Sequence, residues 1–320
     1  MVSVAGGLRQ VRTFRQQRSE AGAGRALISL FRRAGFGADS SYRLARWCKI
    51  AGEPFAYLGR RSQATALARQ AALKVPREDD YLVLPAGSLP RLQELVQYCD
   101  DLFERKREEV LARNKVPSEV IAFDRTPQGP AAPSPEELKP IVDIVCQPEY
   151  VAMAAEYIGE APVLGNVSFW YTPVNKERSG PQNIHRDINT PRQLHLVVAI
   201  RDIDQVTGPF TFLPGDKSRA ANRSLQHQSG RIADEAFWQH VSPSDMVAFT
   251  GPAGSAMLVN PYACFHFGGR AEGKPRLVLI VSYTSKYESA EEGVGAYRLI
   301  NRSALSDGSK LRRLLLDLDS

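Results

Sequence analysis

Apolar residues recur at helical spacing through the first third of the chain and at strand spacing through most of the remainder. From about Arg25 to Leu73 the text is rich in Ala, Leu and Arg, as in Ala26-Leu27-Ile28-Ser29-Leu30-Phe31 and Ala64-Thr65-Ala66-Leu67-Ala68, which predicts helices. Between Leu89 and Asn114, Leu92, Leu95, Val96, Cys99, Leu102 and Phe103 make one stripe with charges around it, the pattern of an amphipathic scaffold helix. The proline and glycine content of Thr126 to Pro133 predicts a linker. Ser134 then stands as an N-cap, Pro135 at the first helical position and Glu137 as the capping-box acid of a helix running toward Ile144. A second short helix is predicted over about Pro148 to Ile158, stopped by Gly159.

After Pro162 the texture changes to short β-rich runs: 167–171, 194–200, 209–213, 246–249, 256–259 and 277–283. Pro214-Gly215-Asp216 and Gly251-Pro252-Ala253-Gly254 punctuate them as turns do in an antiparallel jelly roll. The expected fold is mainly β with flanking helices: a double-stranded β-helix over 162–286, cupin-like in outline. The segment from Lys217 to Ser244 breaks the strand rhythm, and an insertion of that length predicts a lid or binding loop. The expected organisation is a basic, mostly helical N-terminal extension over 1–125 and a linker over 126–134. A β-helix domain follows over 135–320, with its lid at about 217–244.

Composition narrows the setting. At 320 residues and 43% hydrophobic content, the chain suits a packed globular core. No apolar run reaches the length of a spanning helix and no secretory pattern opens the chain, so a cytoplasmic location is expected. A mitochondrial-type presequence over the first nineteen residues finds little support, because Gly6-Gly7 and the lack of an apolar face weaken it. The four cysteines form no C-x-x-C pair, so neither a zinc knuckle nor a disulfide framework is suggested and reduced thiols are expected. Residues 1–77 hold fifteen Lys or Arg against three acids, +12 of a whole-chain +6, leaving the rest near −6. The arginines are spread rather than clustered, as on a solvated helical surface. Peripheral contact with an acidic membrane is the alternative for this region, and nucleic acid is not an expected partner.

The chemistry gathers in two places. His185 and Asp187 stand two apart in Asn183-Ile184-His185-Arg186-Asp187, a spacing that sends both to one face of a strand while Arg186 points away. His266 lies far downstream, and Arg276 follows it by ten positions. Two histidines, one carboxylate and a basic residue in this order suit a mononuclear iron site beside an anionic co-substrate. The pair alone is weak, since a stray H-x-D turns up in roughly one chain in four. His185-Arg186-Asp187 also spells a protein-kinase triplet, but no Asp-Phe-Gly and no glycine-rich phosphate loop accompany it. Gly22-Ala23-Gly24 lacks the third glycine of a dinucleotide fingerprint.

With His185-Arg186-Asp187, the run Gly208-Pro209-Phe210-Thr211-Phe212-Leu213-Pro214-Gly215-Asp216-Lys217-Ser218, then His266 and Arg276, the chain resembles the phytanoyl-CoA dioxygenase-like family of iron(II) and 2-oxoglutarate dependent oxygenases. The resemblance covers roughly residues 145–286. It implies that His185, Asp187 and His266 ligate Fe(II), that Arg276 pairs with the distal carboxylate of 2-oxoglutarate, and that O2 is consumed with release of succinate and CO2. Hydroxylation of a small metabolite or of a carrier-linked or lipid-like intermediate is the implied outcome. Asp187 stands where related halogenases carry a small residue, which disfavours halogenation. Two departures are visible: Asp216-Lys217-Ser218 replaces a Ser-His type pair, and Gly268 stands where a co-substrate-binding serine is common.

Other residues have weaker claims. Arg270 is a candidate for the keto acid or an acidic substrate, with a loop salt bridge as the alternative. Either Trp170 or Tyr171 faces the barrel interior by alternation; Tyr171 offers a hydroxyl to the keto acid, and core packing is the competing role. Gln182 and Asn183 are placed to support the ligand pair. His195 reads as a barrel histidine, and His227, His240 and Trp238 belong to the lid. Two other functional readings fit the pattern: a non-catalytic β-barrel binding or scaffold protein that retains the ligand set, and a cupin-like metal enzyme that uses no keto acid.

Overall fold

The structure, a computed structural model, describes residues 26–112, 121–122, 133–175, 178, 180–187, 190–227, 230–288 and 302–318. Among these residues eleven strands build two antiparallel sheets: β1 (Tyr81–Leu84), β2 (Ile121–Ala122), β3 (Val163–Thr172), β4 (Ile184–His185), β5 (Gln193–Ala199), β6 (Phe210–Phe212), β7 (Arg231–Ile232), β8 (Val247–Phe249), β9 (Ala256–Val259), β10 (His266–Phe267) and β11 (Arg276–Thr284). The larger sheet runs β1-β9-β5-β11-β3-β2 and the smaller β7-β4-β10-β6-β8. The chain crosses repeatedly from one sheet to the other, which is the winding of a double-stranded β-helix.

The two faces of the larger sheet meet different neighbours. Val197, Ala199, Met257, Val259 and Val278 point inward and pack with Phe212 and Phe249 of the smaller sheet. Leu194, Leu196, Val198, Leu277, Leu279 and Val281 point outward into a second, larger core shared with helices. Those helices are α1 (Ala38–Gly52), α2 (Pro54–Ala68), α3 (Leu92–Ala112), α4 (Pro135–Val145) and α5 (Pro148–Ile158). The predicted stripe of α3 is buried from Leu92 to Phe103. The Ser134 hydroxyl accepts from the Glu137 N–H while the Glu137 carboxylate accepts from the Ser134 N–H, closing the expected capping box. Gly159 ends α5 in the left-handed region at φ 81°, where a Cβ would be strained.

Residues on both sides of the expected boundary at 125 share strand pairing and core. β1 pairs with β9 over Tyr81–Leu84, and Leu92, Leu95 and Phe103 of α3 join the same core as β3, β5 and β11. The physical reason is area: the outer face of the larger sheet is apolar along its whole length and needs a helical cover, which residues 54–112 share in supplying. The linker read over 126–134 lies outside the described residues except for its last two positions.

The insertion at 217–244, expected as a lid or binding loop, packs on the smaller sheet. It contributes most of α6 (Gly215–Leu225), β7 and α7 (Asp234–Phe237), and its Ala221, Phe237 and Val241 pack with Ile184, Leu213 and Phe265 on the outer face of the smaller sheet. The four cysteines are free. Among the described residues no helix is long and apolar enough to cross a membrane.

Candidate metal centre

Three ligand atoms converge at one place inside the smaller sheet. β4 ends at His185, β10 begins at His266, and the antiparallel ladder sets these two residues directly opposite each other. Cross-strand partners share a face, so one register brings both imidazoles together, with ring centroids 4.3 Å apart. Asp187 lies two residues beyond His185, and its backbone N–H donates to the Pro261 carbonyl at 3.0 Å. Arg186 turns away as alternation requires, its guanidinium over the rings of Tyr262 at 5.5 Å and Phe265 at 5.2 Å.

The His185 Nε2 stands 3.7 Å and the His266 Nε2 3.8 Å from Asp187 Oδ1, and the ligand atoms all lie within 4.8 Å of one another. Adjacent ligands bonded at about 2.1 Å stand roughly 3 Å apart on an octahedral ion, so these three side chains face one space that an ion would close by drawing them slightly inward. Each imidazole is oriented from behind by a carbonyl: His185 Nδ1 lies 2.8 Å from the Asn183 oxygen and His266 Nδ1 2.9 Å from the Cys264 oxygen. A carbonyl only accepts, so each Nδ1 carries the proton and each Nε2 presents its lone pair to the shared space. Phe210 stacks on His266 with centroids 4.9 Å apart and fixes its plane.

Electrostatics match a cation site. Burial, and next the proximity of His185, push His266 down to about 3, so this imidazole is neutral at ordinary pH. Burial alone raises the Asp187 carboxyl, but His266 and His185 outweigh it and hold the group below its usual value, as a carboxylate. Side-chain exposure grades from 6% at His266 through 15% at His185 to 27% at Asp187, so the approach lies on the Asp187 side.

Arg276 begins β11 opposite Thr172 of β3 and is 6% exposed. Its Nη2 donates to the Thr172 hydroxyl at 3.4 Å, its Nε has no partner, and no carboxylate pairs with it among the described residues. Burial alone pulls its pKa down to about 10. Gly268, two residues past His266, lies against it: a Cβ there would stand 3.1 Å from Arg276 Nη1 and 3.6 Å from the Phe210 ring. Arg276, Phe210 and His266 are thus neighbours in one interior.

Two sequence-derived candidates fall elsewhere. Tyr171 does not reach the centre; it packs in the helix-facing core and stacks on Phe103 of α3 at 5.0 Å, because the alternation of β3 gives the interior to Trp170. Arg270 is committed to a salt bridge, donating to both oxygens of Asp234 at 2.8 and 2.9 Å and to the Gln182 carbonyl at 2.8 Å while lying 3.6 Å over the Phe267 ring. Gln182 is a loop clasp, its amide donating to Asn175 Oδ1 and the Gly269 carbonyl. His195 stands on the inward face of β5 beside Val197, its pKa lowered by burial against the opposing pull of Asp187. Phe210 belongs to the Gly208–Ser218 run but nothing in that run sets it against His266; Thr172 and the Pro261 carbonyl carry no motif, and only the folded chain places all three.

No family model matches the chain, and no curated protein matches it. Solved structures do. EctD from S. alaskensis, crystallised with 2-oxoglutarate and 5-hydroxyectoine, is 16% identical with a TM-score of 0.48, covering 74% of this chain and 79% of that one. The non-heme alpha ketoglutarate dependent carbocyclase SnoK from nogalamycin biosynthesis is 16% identical with a TM-score of 0.46, covering 65% of this chain and 81% of that one. HygX from Streptomyces hygroscopicus, with nickel and 2-oxoglutarate bound, is 14% identical with a TM-score of 0.43, covering 70% and 96%. These are resemblances at low identity, and the centre is read from its own side chains.

Proposed function

We propose that this chain is a mononuclear non-haem Fe(II), 2-oxoglutarate-dependent dioxygenase that hydroxylates a small metabolite or a carrier-linked or lipid-like intermediate. His185, Asp187 and His266 hold the ferrous ion, and Arg276 receives the distal carboxylate of the keto acid. The observation that carries this reading is the guanidinium of Arg276, buried in the same interior as the triad and paired with no acid. A buried cation left uncompensated is costly, and a diacid arriving between Arg276 and the triad supplies the missing charge. A metal enzyme that uses no keto acid has no need of such a group.

When bound, iron, keto acid and dioxygen together supply an oxidation coupled to decarboxylation of the keto acid. The protein's own work is placement. The Asn183 and Cys264 carbonyls hold the two Nε2 lone pairs toward Asp187, and Phe210 shields His266 from the strand side. The more exposed Asp187 edge leaves room for substrate. A carboxylate at that position fills the place a halide needs, which favours hydroxylation.

Anaerobic addition of ferrous iron and 2-oxoglutarate is expected to give a visible charge-transfer band, absent in His185→Ala and Asp187→Ala. Aerobic incubation is expected to release succinate. A wild-type protein with neither band nor succinate refutes the assignment.

A further inference from the structure

Five of the nine large hydrophobic side chains exposed among the described residues lie between positions 30 and 58: Leu30 at 59%, Phe36 at 48%, Trp47 at 60%, Phe55 at 86% and Leu58 at 57%. Single exposed apolar side chains are ordinary on a soluble protein, whereas five within one helical segment of the chain call for a contact partner. We propose that the outward side of α1, α2 and residues 26–37 docks on an anionic membrane surface.

The inner side of this helical pair is fastened to the barrel by buried charge. The Arg46 guanidinium reaches Glu160 at 3.1 Å and Glu288 at 3.2 Å, with all three side chains buried. Arg60 donates to the carbonyls of Ala161, Pro162 and Leu314 at 3.1 to 3.2 Å. Ser41, Tyr42, Ala45, Arg46 and Ile50 form the buried stripe of α1, which leaves Arg43, Trp47 and Ala51 on the other side. The helices therefore cannot roll to hide their aromatic residues, and Trp47 and Phe55 stay outward by construction.

Charge selects the occupant. Residues 26–77 carry ten Lys or Arg against Asp39 and Glu53, and Arg32, Arg33, Arg43, Arg61 and Arg69 are exposed. Both acids are engaged, Asp39 accepting from the Tyr262 hydroxyl and Glu53 lying 3.4 Å from Lys286 Nζ. Two copies brought face to face would set like charge against like. An interface of acidic headgroups over acyl chains instead takes the guanidinium groups at one level and the Trp, Phe and Leu side chains just beneath. The surface adjoins the metal centre through one turn: Tyr42 packs edge-on against Tyr262 at 6.0 Å, and the neighbouring Pro261 carbonyl holds the Asp187 N–H.

The test is co-sedimentation of the full chain with vesicles of phosphatidylcholine alone and of phosphatidylcholine mixed with phosphatidylserine. Binding is expected only to the mixed vesicles and is expected to collapse near 1 M salt, where the screening length is about 3 Å. Trp47→Ser with Phe55→Ser is expected to lower the bound fraction at least about tenfold, since two large apolar side chains leave the interface. Circular dichroism of that double variant is expected to match wild type, because neither side chain is buried. A blue shift of tryptophan emission on vesicle addition is expected to vanish in Trp47→Phe. No sedimentation, equal sedimentation with neutral vesicles, or a two-chain mass in solution that Trp47→Ser with Phe55→Ser abolishes would each overturn the proposal. Binding needs neither iron nor keto acid, so its failure leaves the assignment of His185, Asp187 and His266 standing.

Discussion

Replacing Arg276 with Met is expected to make the metal-free protein more stable while destroying its response to 2-oxoglutarate. The guanidinium is buried, bonds weakly to Thr172, meets no carboxylate among the described residues and is pulled by burial to about 10. Relative to its ordinary value that displacement represents roughly 3 kcal/mol spent holding the charged form in place. The sign follows from the direction: folded-state pKa below unfolded means the penalty is fully present at every pH below about 10 and is relieved only as pH rises through that value. Exchanging an uncompensated buried charge for an apolar side chain of similar length is neutral or stabilising by about 1–4 kcal/mol. At about 2 °C per kcal/mol, calorimetry of the metal-free variant should show a melting temperature higher by about 2–8 °C. Wild type with ferrous iron under anaerobic conditions should gain about 2.7 kcal/mol at a keto acid concentration one hundred times Kd, and Arg276→Met should gain nothing beyond the effect of iron. A metal-free variant that melts below wild type, or one still stabilised by 2-oxoglutarate, refutes the assignment of Arg276 as a waiting anion site.

Three further outcomes are expected. Gly268→Val drives a branched side chain into the 3.1 Å gap beside Arg276 and should raise the keto acid Kd at least about tenfold, measured by titration of the charge-transfer band, whereas Gly268→Ala needs only a small shift of the guanidinium and should stay near wild type. Tyr171→Ala empties a stacked position against Phe103 and should cost about 3 kcal/mol in urea unfolding while leaving the keto acid Kd unchanged; a selective loss of keto acid binding would return Tyr171 to the centre. His266, pushed down to about 3 by burial, stays neutral in the metal-free fold while its unfolded counterpart titrates near 6.5; stability should therefore fall as pH drops from about 6.5 toward 3, and His266→Gln should flatten that slope in urea midpoints.

Much of this architecture is legible along the chain because local rules decide it. The capping box at Ser134, the stop at Gly159 and the stripe of α3 depend on residues within a few positions of one another. The strands after Pro162 announce themselves by β-branched runs. What alternation cannot decide is which face is which when both are buried. Trp170 and Tyr171 each enter a core, one between the sheets and one under α3, and only the pairing of β3 with β11 assigns them. β1 is hidden for a related reason: Tyr81-Leu82-Val83-Leu84 is a short edge strand whose partner, β9, lies far along the chain. Arg270 misleads because proximity to His266 in sequence says nothing about Asp234, which arrives from the insertion and claims the guanidinium.

Because His185 and His266 are direct partners across an antiparallel ladder, the parity of two short strands and the convergence of the proposed ligands are one property of the molecule. Deleting or adding a single residue inside β4 or β10 would turn one imidazole to the outer surface and leave its partner facing empty space. The long stretch between them, insertion included, answers to no such constraint and can lengthen, shorten or change composition while the site persists. Uptake of the proposed ion would therefore double as an audit of strand alignment: a chain slipped by one position at that ladder would keep its sheets and lose the convergence of the two imidazoles.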